Sequence, residues 1–506
     1  MNPEEKLLEV QKAKARLAHG GGPAAIEKQR TAGKLPALER MELLFDPGTF
    51  HELDLLARPF RTGFDIDDRE LPRDAIVVGY GEINGRMAYA SCYDYTVAGG
   101  SQGSMQMMKL VKVMEQAKNE GVPYIGIIDS GGRRIQDRFG KFGYRVPIRV
   151  DGCGEGNIDM FCPPMASGVI PQIAIMLGPC YAGTAYCPMM SDFMIFRRGT
   201  AFMSVASPAL LKAATFVDAT QEEIGGAMLH ATTTGSAEIL ADTDQEALNR
   251  CRDLLGFLPS NWKEKPPRTD SKDDPGRRED ELLRLVPADP TTSYDMHRLI
   301  SLVADSGRFF ELAPLYAQNM IVGFARLAGQ AVGIVANNPE VAGGSLDANA
   351  CDKAAHFIRT CDCFNVPLVF LVDSPGFLPS VEQEHSREGL ERHAAKAVYA
   401  VCEASVPMVV VYVSKCYGAA RLVMGSRAMG ADSVIAWPTA EMRPASAEAG
   451  RFIEQFPEPY TSAGIMVIED VIDPRETRPA LIDRLKRLER KQPPVRPPRK
   501  HGLMPF

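Results

Sequence analysis

The sequence of 506 residues predicts an α/β protein that contains two copies of one domain. Apolar runs such as YIGIID and PLVFLVD are short, uninterrupted and bounded by Pro, Gly or Asp, which is typical of buried parallel strands. Amphipathic stretches alternate with these runs and predict helical crossovers. Related segments recur in the second half of the chain, and a polar, proline-rich stretch separates the halves.

The composition narrows the class of protein. A net charge of -7 argues against nucleic-acid binding, and 45% hydrophobic with 24% charged residues is ordinary for a globular protein. No segment approaches the roughly 20 apolar residues that a membrane helix needs. The charged N-terminal stretch lacks the apolar core of a signal peptide, so we expect a cytoplasmic protein. The 11 cysteines show no metal-binding spacing, and no metal is expected.

The domain boundary is predicted from a change of composition. Residues 259–292 are rich in Pro, Asp, Lys and Arg, as linkers often are. We therefore predict an N-terminal domain over 1–260, a linker over 261–288 and a C-terminal domain over 289–506.

Two pairs of matching segments indicate an internal duplication. VPYIGIIDSGG begins at Val122, and VPLVFLVDSPG begins 244 positions later at Val366. IPQIAIMLGPCY is matched by VPMVVVYVSKCY, where Cys416 follows Cys180 by 236 positions. Two matches in the same order and at nearly the same spacing predict two copies of one α/β domain.

Each copy has the residues for a backbone anion site. A strand ends in Asp-Ser before a glycine-rich loop, and the next strand ends in Cys-Tyr before small residues that should open a helix. The first turn of a helix has unpaired N–H groups, and small residues let a ligand approach them. Such a turn stabilises a developing oxyanion, for example a thioester enolate. Close helix–strand packing is the alternative interpretation.

Two oxyanion sites suit a reaction in which two oxygen atoms become negatively charged. Carboxyl transfer from carboxybiotin to an acyl thioester is such a reaction, with one anion on the biotin ureido oxygen and one on the thioester enolate. It requires no side-chain nucleophile, and the sequence has no convincing Ser/His/Asp or Cys/His arrangement.

Motifs in order along nearly the whole chain resemble a known family. They include YDYTVAGGSQG, DSGGRRIQ, ASGVIPQIAIMLGPCYAG, TQEEIGGAMLH and CFNVPLVFLVDSPGFLP. The chain resembles the carboxyltransferase (β) subunits of biotin-dependent acyl-CoA carboxylases, such as propionyl-CoA carboxylase, and the related methylmalonyl-CoA and glutaconyl-CoA decarboxylase subunits. The resemblance implies two crotonase-fold domains, acyl-CoA on the N-terminal domain, biotin from the C-terminal side, and a homo-oligomer, usually a hexamer.

The same resemblance assigns residues to the sites. The oxyanion donors are expected to be the backbone N–H groups of Ala182 and Gly183 and those of Ala419 and Ala420. The expected substrate-binding residues of both domains are Gly99, Gly100, Gly131, Gly132, Arg133, Arg134, Tyr181, Pro375, Gly376, Phe377, Tyr417, Gly418, Arg421 and Leu422.

Several positions depart from the family pattern. Ala182 and Ala419 each replace a glycine, Arg133 replaces an alanine, and Arg421-Leu422 replaces Tyr-Asp. The segment 137–165 is longer than usual and could be a lid or a surface insertion, whereas the segment after Glu441 is shorter. We take these changes as a hypothesis that the acyl group is larger than usual or charged.

Biotin is expected to arrive on a separate protein. Met108-Lys109 is faintly like a biotin-attachment sequence, but its apolar spacing is helical and predicts a core position. No glycine-rich ATP-binding module is present either. The expected partners are therefore a biotin carboxyl carrier protein and a biotin carboxylase, or membrane decarboxylase subunits.

Three alternatives remain open from the sequence. The reaction could run in the reverse direction, as in a biotin-dependent decarboxylase. A crotonase-fold hydrolase or isomerase would need a side-chain base, for which Asp94, Asp137 and Glu223 are the candidates, although each is better explained as structural. An inactive homologue that acts as a scaffold in a complex is the third.

Overall fold

The computed structural model describes residues 2–139, 160–289, 292–378, 380–385, 389–443, 459–495 and 498–505. Contacts divide the chain into two units. The first unit contains residues 1–256 and 260–262, and the second contains 257–259 and 263–506. Most of the stretch with linker composition belongs to the second unit, where the Thr269 N–H donates to the Gly329 carbonyl.

The first unit is built on a seven-stranded sheet in the order β1-β2-β3-β4-β5-β7-β9, with β6 and β8 paired separately. The first three strands are antiparallel, and every pairing from β3 to β9 is parallel. The strands are β1 (His51–Leu53), β2 (Ile76–Ile83), β3 (Arg86–Tyr93), β4 (Tyr124–Ile128), β5 (Gln172–Met176), β6 (Pro179–Tyr181), β7 (Phe193–Arg197), β8 (Phe202–Ser204) and β9 (Ile239–Ala241).

Helices connect these strands, as the amphipathic stretches predict. The longest, α4, joins β3 to β4 and buries one apolar side. The helices of this unit are α1 (Pro3–Ala18), α2 (Pro23–Thr31), α3 (Ala37–Leu44), α4 (Ser104–Glu120), α5 (Ile135–Phe139), α6 (Cys162–Ala166), α7 (Tyr186–Met189), α8 (Pro208–Thr215), α9 (Gln221–Gly225), α10 (Ala227–Leu229) and α11 (Asp244–Leu255).

The second unit has the same arrangement, with a seven-stranded sheet in the order β10-β11-β12-β13-β14-β15-β16. Its first three strands are again antiparallel and the rest parallel. The strands are β10 (Phe309–Leu312), β11 (Met320–Leu327), β12 (Gln330–Asn337), β13 (Leu368–Ser374), β14 (Met408–Cys416), β15 (Ser433–Ala436) and β16 (Asp470–Val471). The helices are α12 (Leu282–Leu285), α13 (Met296–Val303), α14 (Ala348–Cys363), α15 (Val381–His385), α16 (Leu390–Glu403), α17 (Ala420–Val423), α18 (Pro459–Gly464) and α19 (Thr477–Arg487).

The predicted duplication is confirmed at single-residue level. Ala98 and Ala342 stand 244 positions apart, and both have a positive φ, of 48° and 50°. Two glycines follow in each copy, Gly99-Gly100 and Gly343-Gly344, again with positive φ. Non-glycine residues rarely adopt this conformation, so its repetition shows that the two units share their backbone geometry.

A buried lysine is repeated at the same spacing. The Lys109 ammonium on α4 donates to the carbonyls of Arg73 and Ile76, at 3.2 and 2.8 Å. The Lys353 ammonium on α14 donates to the carbonyl of Met320 at 2.7 Å, 244 positions beyond Ile76, and to two further carbonyls at 2.8 Å. Lys109 is therefore a helical core residue, as predicted.

Two predicted features fall partly outside the described residues. Most of the long segment 137–165 and most of the short segment after Glu441 lie in 140–159 and 444–458, which are not described. In the part of the chain that is described, no helix is both long and apolar enough to cross a membrane.

Candidate active sites in the two units

The glycine-rich loop after β4 is bonded to the Ala98–Gly100 turn. The N–H of Gly131 donates to the Gly99 carbonyl at 2.9 Å, and the Ser130 hydroxyl donates to the Gly100 carbonyl at 2.8 Å. A Cβ on Gly100 would lie 2.2 Å from the Asp129 carbonyl oxygen, so this crossing requires glycine. The structure therefore brings together the predicted residues Gly99, Gly100, Gly131 and Gly132.

A buried ionic cluster anchors this loop. Asp129 is fully buried and accepts hydrogen bonds from Lys34 at 2.7 and 2.9 Å, from Arg40 at 3.0 Å and from Gln29 at 3.0 Å. Burial lowers the pKa of Lys34, although Asp129 opposes this shift. A Cβ on Gly178 would lie 1.8 Å from a carboxylate oxygen of Asp129, so only glycine leaves space for this carboxylate.

The small residues after β6 form a turn with open donors. Ala182 has φ 53°, is exposed and starts a 3₁₀ turn that ends at Ala185. Among the described residues, no acceptor binds the N–H of Ala182 or of Gly183. Tyr181 lies beside them, and its phenol contacts Gln221. The carboxyl ends of β4 and β5 meet at the same edge, so the two loops lie together.

The two predicted arginines have different environments. Arg133 is half-buried, and its Nε lies 2.6 Å from the position that a Cβ of Gly183 would take. Arg134 is buried, and its guanidinium donates to Asp74 at 2.6 Å and to the Ser101 carbonyl at 3.0 Å. The substrate-binding role of Arg134 stays a prediction, and in the structure these internal groups bind its guanidinium.

The corresponding loop of the second unit follows β13. This loop contains Pro375, Gly376 and Phe377. It is bonded to the segment just after the Gly343–Gly344 turn, since the Leu346 N–H donates to the Gly376 carbonyl at 2.9 Å. A Cβ on Gly344 would lie 2.3 Å from the Asp373 carbonyl oxygen, as in the first unit.

Asp373 occupies the position of Asp129 but has different neighbours. It is buried, accepts from the Lys415 backbone N–H at 3.1 Å and lies 3.2 Å from the Lys415 ammonium. The Tyr294 phenol is also adjacent to this carboxylate. Burial raises the pKa of Asp373, although Lys415 opposes that shift.

The second turn has one open donor. Gly418 has φ 54° and takes the position of Ala182, while its N–H donates to the Arg443 carbonyl at 2.7 Å. The exposed Ala419 takes the position of Gly183, and no acceptor in the described part of the chain binds its N–H. Ala420 is buried, and its N–H donates to the Tyr417 carbonyl at 3.3 Å. The donor role of Ala420 stays a prediction, and in the structure its N–H is bonded to the Tyr417 carbonyl, whereas the N–H of Ala419 is open.

Glu441 bonds to the two residues that precede the second turn. The Tyr417 phenol donates to the Glu441 carboxylate, and the Cys416 N–H donates to the Glu441 carbonyl. Burial and Glu441 both raise the pKa of Tyr417. Arg421 is exposed and Leu422 is half-buried on α17, so both lie beside the open N–H of Ala419.

The three candidate side-chain bases have structural roles. Asp94 accepts from Thr96, Asp137 accepts from the Ser104 N–H at the start of α4, and Glu223 caps α9 together with Thr220. This arrangement disfavours the hydrolase or isomerase alternative. The sequence analysis missed Lys34 and Tyr294, because no spacing links them to the distant carboxylates that they contact.

Two α/β units with mixed sheets, each with a backbone turn at the carboxyl end of its parallel strands, define a two-domain enzyme of the crotonase-like class. Residues 28–449 match the family described as carboxyl transferase domain, and the chain belongs to that family.

Relatives of this chain support the same family. The methylmalonyl-CoA decarboxylase subunit alpha of Veillonella parvula is 42% identical, with 99% of each chain covered. The propionyl-CoA carboxylase carboxyltransferase subunit of Haloferax mediterranei is 40% identical, with 100% of each covered. The crystal structure of transcarboxylase 12S, which describes hexamer assembly and a bound, hydrolysed methylmalonyl-coenzyme A, matches with a TM-score of 0.94 and 38% identity over 100% of this chain and 99% of that one. The predicted family, fold and enzyme class are thus confirmed.

Proposed function

We propose that the protein moves a carboxyl group between biotin on a carrier protein and an acyl-CoA, through backbone N–H groups in both units. The observation that carries this proposal is the pair of equivalent turns with open donors, Ala182-Gly183 in the first unit and Ala419 in the second. Backbone donors need no particular side chain, which explains why alanine can replace glycine at positions 182 and 419.

In the first unit, the N–H groups of Ala182 and Gly183 would bind the thioester oxygen. Loss of a proton or of CO2 beside the carbonyl places negative charge on that oxygen, and fixed donors lower the energy of this state. In other enzymes that stabilise an oxyanion, removal of one such donor costs about 3–4 kcal/mol of transition-state stabilisation. Tyr181 would border the acyl group.

A cleft beside this turn suits the coenzyme. Its volume is about 640 Å³, and its lining includes Lys28, Lys34, Tyr95, Gly99 and Pro179. Lys28 offers a cation for the phosphates of coenzyme A, while Gly99 and Pro179 belong to the two loops of the first site. We assign the acyl-CoA to this cleft.

The second unit offers biotin both free space and an open backbone N–H donor. Among the described residues, a Cβ on Gly376 would meet only the Tyr417 carbonyl oxygen, at 3.9 Å, so there is space beside Gly376. Biotin would supply and accept the carboxyl group there. Ala419 would bind the ureido oxygen, and Phe377 and Tyr417 would offer apolar surface for the bicyclic ring.

We also propose partner proteins, a location and a class of acyl group. A biotin carrier protein is one proposed partner. The relatives' names, which are those of subunits of a decarboxylase and of a carboxylase, support further partner subunits, and the transcarboxylase 12S structure supports a hexamer. We propose a cytoplasmic location. Arg133, beside Gly183, is placed to contact a charged or polar acyl group, and the direction of the reaction depends on the partner subunits.

A substrate panel tests the proposal. The purified protein is given free biotin and a set of carboxylated acyl-CoAs, and thioester masses are followed. We expect biotin-dependent loss of CO2 from at least one thioester, which identifies the acyl group. Binding of thioesters without turnover, even with a biotin carrier protein supplied, would favour the scaffold alternative.

Two proline variants test the donor assignment. Ala419→Pro removes the open N–H, and we expect carboxyl transfer to fall about 100-fold to 1,000-fold. Ala420→Pro is the matched control, since it removes an N–H that the structure assigns to the Tyr417 carbonyl and since proline suits the first position of a helix. Equal losses in two variants that melt like the wild type would contradict the assignment.

A further inference from the structure

A second concave site lies on the first unit. Its volume is about 290 Å³, and its walls come from the end of α1, from the segment 57–71 and from the residues that follow the glycine-rich loop. Five arginines line it: Arg16, Arg58, Arg61, Arg69 and Arg134. The lining shares no residue with the 640 Å³ cleft assigned to the acyl-CoA.

The carboxylates of this pocket have other partners. Glu70 pairs with Arg16 at 3.0 Å, and Asp67 accepts from the N–H groups of Thr62 and Gly63 at 2.8 and 2.7 Å. The third, Asp137, accepts from the Ser104 N–H at 2.7 Å. Two other acidic residues of the same segment, Asp65 and Asp68, do not line the pocket.

Three of the arginines make no close ion pair, although the charge of Arg61 contributes to the lowered pKa of Asp67. Among the described residues, no carboxylate lies within salt-bridge distance of Arg58, Arg61 or Arg69, and all three side chains are exposed. Like charges that converge on one cavity repel each other, and an anion in the cavity removes that repulsion. The guanidinium group also matches the geometry of phosphate oxygens, to which it donates two parallel hydrogen bonds.

Internal hydrogen bonds hold the wall behind these arginines. Arg134 is 3% exposed and is bound to Asp74 at 2.6 Å, and its backbone N–H donates to the Gln102 carbonyl at 2.8 Å. The Gln102 N–H in turn donates to the Gly132 carbonyl at 2.8 Å. The pocket is therefore continuous, through backbone hydrogen bonds, with the glycine-rich loop of the first site.

We propose that this pocket binds a phosphoryl group of a small molecule, with Arg58, Arg61 and Arg69 as its mobile ligands. The phosphoryl group has two candidate sources. A separate phosphate or nucleotide agrees with the assignment of the acyl-CoA phosphates to Lys28, whereas the phosphates of coenzyme A itself would replace that assignment. The proposal goes beyond carboxyl transfer and does not depend on it, because it concerns a binding site whose occupancy is measured without turnover.

Calorimetric titration of the full-length protein with inorganic pyrophosphate tests the site. We expect saturable binding that weakens with added salt, as interactions between exposed charges do. The triple variant R58A/R61A/R69A should bind pyrophosphate at least tenfold more weakly. Arg250→Ala on α11 is the control, since this arginine is also exposed but lies outside the pocket. Unchanged affinity in the triple variant, or no binding by the wild type, overturns the proposal.

Two thioesters distinguish the two sources of the phosphoryl group. Propionyl-CoA carries the phosphates, and propionyl-pantetheine lacks them. If the triple variant loses affinity for propionyl-CoA and for pyrophosphate but not for propionyl-pantetheine, the pocket binds the phosphates of the coenzyme. If it loses affinity for pyrophosphate alone, the pocket binds a separate phosphorylated ligand. Both results support the site, and neither requires carboxyl transfer to occur.

Discussion

Asp129 and Asp373 occupy equivalent positions at the ends of β4 and β13, yet different groups compensate their charges. Asp129 contacts Gln29, Lys34 and Arg40, which all come from the N-terminal segment of the chain. Asp373 contacts Lys415, from the neighbouring strand of its own sheet. The duplicated backbone thus keeps the carboxylate in place, while each unit supplies the opposite charge from its own sequence.

The difference extends to the residue opposite each carboxylate. Gly178 stands where the second unit has Ser414, 236 positions later. A Cβ at 178 would overlap Asp129, whereas Ser414 is a buried residue that the second unit accommodates. The two sites therefore have the same backbone plan but different tolerance for substitution.

Removal of each carboxylate charge should give the largest contrast. Asp129→Asn leaves Lys34 without its partner and Arg40 with Asp244 alone, and breaking such a buried pair costs about 3–5 kcal/mol. Asp373→Asn should cost much less, because burial already raises the pKa of Asp373 and disfavours its charged form. Urea denaturation at neutral pH measures both, and equal losses would contradict the contrast.

Exchange of the facing residues should have the next largest effect. Gly178→Ser forces a side chain against Asp129, and overpacking of this kind costs about 1–3 kcal/mol. Ser414→Gly adds no atoms and should have a smaller effect. Thermal unfolding measures both changes. A Gly178→Ser protein as stable as the wild type would show that the Asp129 carboxylate can move without loss.

The repeated lysines provide a third comparison. Lys353→Met leaves three close carbonyls without a donor and Lys109→Met leaves two, and each unsatisfied group costs about 1 kcal/mol or more. The Lys353 variant should therefore be the less stable. Denaturant midpoints at pH 7 decide the order, with Lys272→Met, at an exposed lysine, as control.

Lys109 also predicts a pH dependence. Burial lowers its pKa to about 8, below the value of about 10.4 in an unfolded chain. The folded chain therefore releases this proton first, so the penalty of burying the charge is fully present below pH 8 and disappears as the pH rises toward 10.4. The free energy of unfolding of the wild type should therefore rise between pH 8 and about 10.4 through this group. The Lys109→Met variant should lack that rise.

The smallest effect is expected at the left-handed positions of the two turns. Ala182→Gly relieves the strain of a side chain at φ 53°, and Gly418→Ala introduces it at φ 54°. The left-handed conformation costs a non-glycine residue about 1–2 kcal/mol, and the flexibility of glycine offsets part of this. Thermal unfolding should show a small gain for the first variant and a small loss for the second.

The sequence predicted the fold because its signals are local. The apolar runs of β4 and β13 and the spacing of 244 residues required no tertiary information. The loops around Gly99 and Gly132 were predicted for the same reason, since each follows directly from a strand. The resemblance to a family then supplied their chemistry.

The sequence could not predict the features that depend on three-dimensional contacts. Arg134 and its neighbour Arg133 look alike in the sequence, but only Arg134 is bound to the buried Asp74. Ala419 and Ala420 are identical residues, and the Tyr417 carbonyl distinguishes them by binding one N–H. Lys34 contacts Asp129 across 95 positions, a separation at which no sequence pattern links two residues.

The lysine–carbonyl contact also bears on the history of the chain. Lys109 and Lys353, with Ile76 and Met320, keep the same separation of 244 residues, although most side chains around them differ. A contact that both halves keep at the same spacing is what the doubling of a shorter ancestral gene predicts. Such an ancestor would have one of the proposed oxyanion turns per polypeptide, and its doubling would place both turns in one gene product.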